Sequence, residues 1–199
     1  MTDSADRRVT ANLTLSLDGY HQGPTGPGDF SMFAPYTTSE TARRQLARTW
    51  EGATTALFGR VNAEVSLGYW PSVAEDGDAD PRERAYGQWL ADTEKVVFST
   101  TLTEMPWAHT HVVNAPVPDI VAELKVTGEG DIVVNSSLSL VQPLLAADLI
   151  DRLHLLVLPQ VVGAGQRLFE SDPPTSKWKL THREKGELGE SAMVYDRPR

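Results

Sequence analysis

The 199-residue sequence contains no cysteine, which excludes disulfides, thiolate nucleophiles and cysteine-ligated zinc together. That absence suits a reducing compartment, and a cytoplasmic location is expected. No apolar run approaches the length that spans a bilayer, so no membrane partner is expected. The opening MTDSADRR is polar and charged rather than signal-like. Blocks of lysine or arginine are missing too: 18 basic against 27 acidic residues leave a net charge of −9. A phosphate-tracking surface would have to be very local, so no nucleic-acid partner is expected. A small anionic ligand stays open, because one arginine and one helix N-terminus can hold it. What remains is 40% hydrophobic, ample for a packed core, and the length suits one domain.

Residues 1–8 are expected to form a disordered terminus. Residues 9–17 (VTANLTLSL) alternate, with Val9, Ala11, Leu13, Leu15 and Leu17 on one face, and predict a first strand. Asp18-Gly19 signals a turn. Residues 21–39 are rich in Gly, Pro, Ser and Thr and predict a long irregular loop, which Phe30, Met32, Phe33 and Tyr36 would pack rather than leave disordered. Helices are expected at 41–50 (capped by Ser39 or Thr38), from Gly59-Arg60 through 67, at 82–91 and at 117–126. Strands are expected at 53–58, 95–98 and 109–113, and residues 71–81 read as a surface loop. Two further strands, 176–183 and 191–196, are joined by the turn-like KGELGE and predict an antiparallel hairpin.

Residues 131–170 are the most informative stretch. Ile132, Val133 and Val134 form a β-branched run that Asn135, Ser136 and Ser137 interrupt. Leu140, Val141, Leu144, Leu145 and Leu149 then recur at helical spacing, with Pro143 set to delay or bend the helix. Residues 153–158 suit a parallel strand covered on two sides. A strand feeding a polar turn that opens a helix is where α/β proteins bind phosphates, since free backbone N–H groups and the helix dipole face the anion. The alternation of strands and helices predicts an αβα sandwich with a mainly parallel sheet and an antiparallel C-terminal edge.

Four ordered segments carry a resemblance: SLDGY (residues 16–20), LFGRVNAE (57–64), KVVFSTTL (95–102), and 131–170, which closes on Pro159, Gly163, Gly165 and Leu168-Phe169. Together they resemble the dihydrofolate-reductase-like superfamily, nearest to stand-alone relatives of the reductase domain of the bacterial riboflavin-pathway deaminase–reductase. The likeness spans residues 9–197 as a single domain. It implies a reduced nicotinamide cofactor (NADPH, with NADH as the other choice), a small-molecule substrate, a homodimer, and hydride transfer to a C=N or C=O bond. Carried over position by position, Gly59, Arg60 and Asn62 would meet phosphates or ribose, and Ser99 and Thr100 the adenosine side. Asn135, Ser136, Ser137 and Leu138 would meet the pyrophosphate. Asp18 would orient substrate or assist protonation, and Tyr20, Phe33, Trp70, Gln160 and Gly163 would border the substrate.

The chain departs from the family pattern at three of these points. Asn62 replaces a threonine, neutral Thr100 replaces an arginine suited to a 2′-phosphate, and Ser136-Ser137 replaces a glycine pair. Each residue also has a plainer reading. Asp18 forms a turn, Arg60 pairs with Glu64 at i+4, and Ser136-Ser137 cap a helix. The aromatic sets Tyr69-Trp70 and Phe30, Phe33, Tyr36 either wall a pocket or pack a core. His109 and His111 lack a third ligand and read as a surface strand, so no metal is expected. His154 reads as a satisfied core histidine, and no Gly-x-Ser-x-Gly elbow points to a hydrolase. Two functions stand side by side: an NAD(P)H-dependent reductase, and a scaffold that kept the fold but lost catalysis and binds a ligand or a second copy.

Overall fold

In the computed structural model, residues 7–26, 28–169, 173 and 175–198 are described. The expected frayed terminus lies outside these except for Arg7 and Arg8, and Arg7 corrects the expectation: it is buried. Its guanidinium donates to the carbonyls of Gly130, Leu124 and Thr127 and to the hydroxyls of Thr54 and Thr55.

Alternation in the first strand sets the centre of the molecule. Strand β1 (Val9–Leu15) buries Val9, Ala11, Leu13 and Leu15 on one face, and Thr10, Asn12 and Thr14 point the other way. After β2 (Tyr20–Gln22) the chain runs through α1 (Glu40–Thr49), β3 (Ala53–Gly59), α2 (Arg60–Glu75), α3 (Pro81–Asp92), β4 (Glu94–Phe98) and β5 (Thr110–Val113). It continues as α4 (Val117–Val126), β6 (Asp131–Asn135), α5 (Leu138–Ala146), β7 (Arg152–Val157), β8 (Gln166–Arg167), β9 (Lys179–Lys185) and β10 (Ser191–Asp196). Among the described residues, eight strands form one sheet in the order β5-β4-β3-β6-β1-β7-β10-β9, and β2 pairs with β8 apart from it. The first six run parallel, and β10 and β9 close the far edge antiparallel, as the hairpin composition predicts.

Helices α4 and α5 bury Val121, Leu138, Val141 and Leu144 against the odd-numbered face of β1. On the opposite face Phe58, Ala63, Tyr86, Leu90 and Val97 form a second cluster beneath α2 and α3. A third cluster joins Phe33 and Tyr36 of the long loop to Leu156, Leu158 and Ala192. The loop is therefore packed, as its aromatics require.

Bounds shift by a few residues at β1, which stops at Leu15, and at β9, which runs Lys179–Lys185, and two differences matter more. Helix α2 does not stop near residue 67 but runs on to Glu75 with Pro71 inside it, so the expected 71–81 loop is only a short link to α3. Proline removes one helical hydrogen bond and crowds the preceding turn, at a cost of about 3 kcal/mol in an isolated helix. Tertiary packing outweighs it here. Val73 is buried, and α3 seats against the Trp70–Ala74 segment at Gly87, where an added Cβ would lie 2.9 Å from the Trp70 carbonyl and 3.0 Å from the Ala74 Cβ. Gly87→Ala gains about 1 kcal/mol of helix propensity but forces two backbones apart, at a cost of about 1–3 kcal/mol. A net loss of stability in denaturant titration is the expected outcome. The second difference is smaller: His109 lies outside β5 with φ of +54°, so it does not share a strand face with His111. Among the described residues no group of three metal-ligating side chains occurs, and no helix is long and apolar enough to cross a membrane.

Candidate functional site: two cavities that share one turn

Parallel strands end together, so β3, β4 and β6 deliver Gly59, Ser99 and Asn135-Ser136 to one rim. There Gly59, Ser99 and Ser136 border a cleft of about 530 Å³, within the roughly 300–1,000 Å³ usual for small-molecule sites. Gly59 is needed for close approach rather than for an unusual backbone, since its φ is −77°. A Cβ there would lie 2.7 Å from the Ser137 hydroxyl and 2.9 Å from that of Ser139. The Gly59 N–H donates to the Ser137 hydroxyl at 3.1 Å, which ties the β3–α2 turn to the β6–α5 turn.

Helix capping is distributed unevenly around the molecule. Ser39 caps α1 and Asp80 caps α3 through their side chains. The helices that open onto the cleft, α2, α4 and α5, have no side-chain cap, and Arg60, Val117 and Leu138 from their first turns line it. The expected capping role of Ser137 is thereby corrected: its hydroxyl serves Gly59 instead. First-turn amides carry partial positive charge, and those without an internal partner suit an anion. Gln22 adds a second unspent group. It is 8% exposed, lines the cleft, and its Oε1 has no partner among the described residues.

Ser136 adopts a left-handed backbone, with φ of +52°. This conformation explains why glycine is the easy choice there. Its N–H donates to the Asn12 carbonyl at 2.9 Å, and its own carbonyl lies 3.2 Å from Nε2 of buried His21. Asn62 does not present its amide to the cleft unspent; it donates to the Asn135 carbonyl and so ties α2 to the same turn. The Ser99 hydroxyl accepts from the N–H groups of Thr101 and Leu102 at 3.1 and 2.9 Å, shaping the loop, while Thr100 is exposed on the rim. Arg60 lines the cleft and donates to both Glu64 oxygens at 3.0 Å, the plainer of its two readings.

A second cavity of about 420 Å³ lies on the other side of this turn; Ser136 lines both cavities and Asn135 this one. Its floor is the even-numbered face of β1. A chain of side-chain amides crosses it: Gln45 donates to Asn12 at 3.2 Å, Asn12 to Asn135 at 2.9 Å, and Asn135 to the Tyr86 hydroxyl at 2.8 Å. Aromatic walls come from Phe33, Tyr36, Tyr69 and Trp70, with Trp70 also edge-on to Tyr86 at 4.5 Å.

The residues expected at the site thus divide. Gly59, Arg60, Asn62, Ser99, Thr100, Ser136, Ser137 and Leu138 gather on the first cavity, Asn135 on the second, and Phe33 and Trp70 on the second. Asp18, Tyr20, Gln160 and Gly163 line neither. Tyr20 donates its hydroxyl proton to the Gly163 carbonyl, and Gln160 reaches the cavity only through the Tyr36 hydroxyl. Asp18, expected to orient substrate or assist protonation, is held by its own loop. Its carboxylate accepts from the Ser16 hydroxyl at 2.6 Å and from the N–H groups of Val162 and Gly163 at 3.1 and 2.8 Å. The Ser16 bond foremost, with the two amides, holds its carboxyl down to about 2, against the opposing effect of burial. A carboxyl depressed in the fold stabilises it above the unfolded value near 3.9 and ceases to do so as pH falls through about 2. Hydrogen-exchange protection of the Val162 and Gly163 amides should fall over that acid window, and Asp18→Asn should remove the step.

Sequence reasoning passed over Asn12, Thr14 and Gln45. The available signal was β1 itself: a strand with parallel neighbours on both sides ordinarily carries apolar residues on both faces, and its Thr10-Asn12-Thr14 face does not.

Comparisons with known proteins agree with this fold. YyaP of Bacillus subtilis (strain 168) is 25% identical over 189 residues, covering 95% of this chain and 94% of that protein. Among solved structures, a protein ascribed to riboflavin biosynthesis from Shewanella sp. PV-4 superposes with a TM-score of 0.68 at 21% identity, over 96% of this chain and 99% of that one. The diaminohydroxyphosphoribosylaminopyrimidine deaminase/5-amino-6-(5-phosphoribosylamino)uracil reductase of Thermotoga maritima gives 0.62 at 14% identity, over 97% of this chain and 57% of that longer one. Dihydrofolate reductase from Enterococcus faecalis, solved with NADP(H), gives 0.56 at 15% identity, over 96% and 97%. These likenesses establish a dihydrofolate-reductase-like α/β fold, and the match of residues 7–189 to the family of the RibD C-terminal domain places the chain within that family.

Proposed function

We propose that the protein is an NAD(P)H-dependent reductase that adds hydride and a proton across a C=N or C=O bond of a small substrate. The observation that carries this reading is the pair of cavities that meet at Ser136, which lines both; the pair suits two ligands meeting edge to edge. The residues of the first cavity fit a dinucleotide: three helix N-termini without side-chain caps for the phosphates, and an unpartnered buried acceptor, Gln22 Oε1, for a carboxamide. Such a cofactor supplies the hydride when bound. The chain's own work is positioning, which alone contributes many orders of magnitude when the reacting atoms are held in line.

Leu138, Ser137 and the first turn of α2 would face the diphosphate. Arg60 would exchange Glu64 for it, since an exposed i,i+4 pair contributes only about 0.3–0.5 kcal/mol and a charged phosphate contact about 1.5–3 kcal/mol. Thr100 offers no charge to a 2′-phosphate, so NADPH and NADH should bind within about tenfold of each other, against the larger gap a paired arginine would give. Neither carboxylate near the site is free to donate a proton: Asp18 is spent on its loop, and Glu83 is paired with Arg43 at 2.9 Å. Water is the proton source under this reading.

One observation favours the non-catalytic alternative. The space that a bare glycine pair would leave beside Gly59 is filled by the Ser137 and Ser139 hydroxyls. Titration by nicotinamide fluorescence separates the two. Saturable micromolar binding, with oxidation on adding a substrate, supports the reductase; no binding up to millimolar concentration supports the alternative.

A further inference from the structure

His21 is fully buried and lines neither cavity, yet it sits at the junction between them. Its ring stands edge-on to Phe30 at 5.5 Å and tilted against Phe33 at 5.7 Å. Those two rings line the first and the second cavity respectively. Nδ1 lies 2.8 Å from the Thr14 carbonyl, and Nε2 lies 3.2 Å from the Ser136 carbonyl. Both partners can only accept. A neutral imidazole has one N–H and one lone pair, so it satisfies one carbonyl and turns a lone pair on the other. The shorter contact assigns the N–H to Nδ1, which leaves the Ser136 carbonyl facing the lone pair of Nε2. An imidazolium carries two N–H groups and satisfies both carbonyls.

Burial opposes the charged form and holds His21 below the ordinary histidine value, against the pull of both carbonyls. Strand β1, helix α5 and the turn 135–137 carry no ionisable residue. The charges on the other elements around the ring are engaged elsewhere. Asp29, next to Phe30, accepts from the Thr25 and Ser31 hydroxyls at 2.7 Å, and Asp18 accepts from Val162 and Gly163. Arg167 of β8 lies over the Tyr20 ring at 4.6 Å, and Arg60 at the cleft is paired with Glu64. A doubly charged diphosphate in the first cavity would bring an anion to the Ser136 side of this ring, where an anion favours the imidazolium.

We propose that His21 is a positioning residue that takes up a proton from solvent when a dinucleotide enters the first cavity, and that its imidazolium then clamps the Ser136 carbonyl in place. The identity of the anion rests on the reductase reading. The sign follows from linkage. A bound anion favours the protonated ring more than the empty cavity does, so binding tightens as pH falls through the histidine's value in the complex. It levels off below the value in the empty protein.

The test is a calorimetric titration of the full chain with NADH between about pH 6 and 7.5. NADH is chosen because its diphosphate keeps both charges over this range, whereas a phosphate monoester such as the 2′-phosphate of NADPH titrates at about 6. Affinity should rise by up to about tenfold per pH unit of acidification, and buffers of different ionisation enthalpy should reveal proton uptake. In proton–nitrogen NMR spectra one imidazole should become doubly protonated on adding NADH. His21→Gln keeps an uncharged donor; it should lose that signal, the uptake and the pH dependence while still binding NADH. Should that variant fail to fold, replacing His109 and His111 by glutamine supplies the second check. Both are exposed and lie at β5, whose Val113 lines the cleft, and the uptake should survive their loss. NADH binding without uptake, uptake that persists in His21→Gln, or uptake lost with His109 and His111 would each overturn the proposal and leave the reductase reading standing. Absence of NADH binding up to millimolar concentration would overturn both.

Discussion

An aspartate in place of Ser136 should leave the fold intact and weaken NADPH binding by about 100-fold, equivalent to about 3 kcal/mol. The two halves of this expectation have separate causes. Aspartate is among the few side chains that tolerate a left-handed backbone, which Ser136 adopts at φ of +52°. Next to the uncapped start of α5, a carboxylate also gains from the helix dipole, by about 0.3–1 kcal/mol. Thermal stability should therefore hold or rise slightly. The same charge would stand where the diphosphate is proposed to lie, and two like charges about 4 Å apart at an effective dielectric near 20 repel by about 4 kcal/mol. A variant that is at least as stable and binds far more weakly cannot be explained by misfolding. Ser136→Gly is the complementary change. It removes the left-handed strain and the hydroxymethyl group together, and tighter binding should follow. Equal NADPH affinity in all three proteins would remove the diphosphate from this turn.

The largest effect on stability is expected far from the cavities, at Arg7. Its guanidinium makes five hydrogen bonds, at 2.6 to 3.3 Å, to three carbonyls and two threonine hydroxyls. Gly128, which follows the acceptor Thr127, and Gly130, itself an acceptor, have φ of +77° and +70°, so the loop between α4 and β6 is wound around the arginine. Bonds from a charged donor contribute about 1.5–3 kcal/mol each, yet they share one side chain and do not add. Arg7→Met keeps much of the stem packing and should cost about 3–4 kcal/mol, since it takes the charged donor from all five acceptors at once, the buried Thr55 hydroxyl among them. At about 2–4 °C per kcal/mol for a chain of this size, the melting temperature should fall by about 10 °C in scanning calorimetry. A shift of a degree or less would mean that the loop holds without it.

Much of the architecture was legible in periodicity. The β-branched run before Asn135, the helical spacing after it, and the alternation from Val9 each led to the element observed, because burial of one face is a local pattern with a global cause. The proline-bearing end of α2 was not legible. Pro71 is locally a helix breaker, and what keeps it helical is Gly87, sixteen positions along the chain in another helix. Arg7 was missed for a related reason: a charged residue near a terminus is usually solvated, and its five acceptors come from distant segments. At the site, glycine and serine positions were readable where they bordered a strand end, whereas the roles of their side chains were not. Ser137 looked like a cap and proved to be a tie to Gly59. Asp18 looked catalytic because a family position is a statement about chain order, while its use depends on where Val162 and Gly163 fold back.

Ser136 is a party wall, with a chamber on either side. Whatever presses on it from one chamber moves the Ser136 carbonyl that His21 grips and the Asn135 amide that Asn12 and Tyr86 grip. Two occupants of such a duplex are bound by reciprocity: each would alter the hold on the other by the same factor.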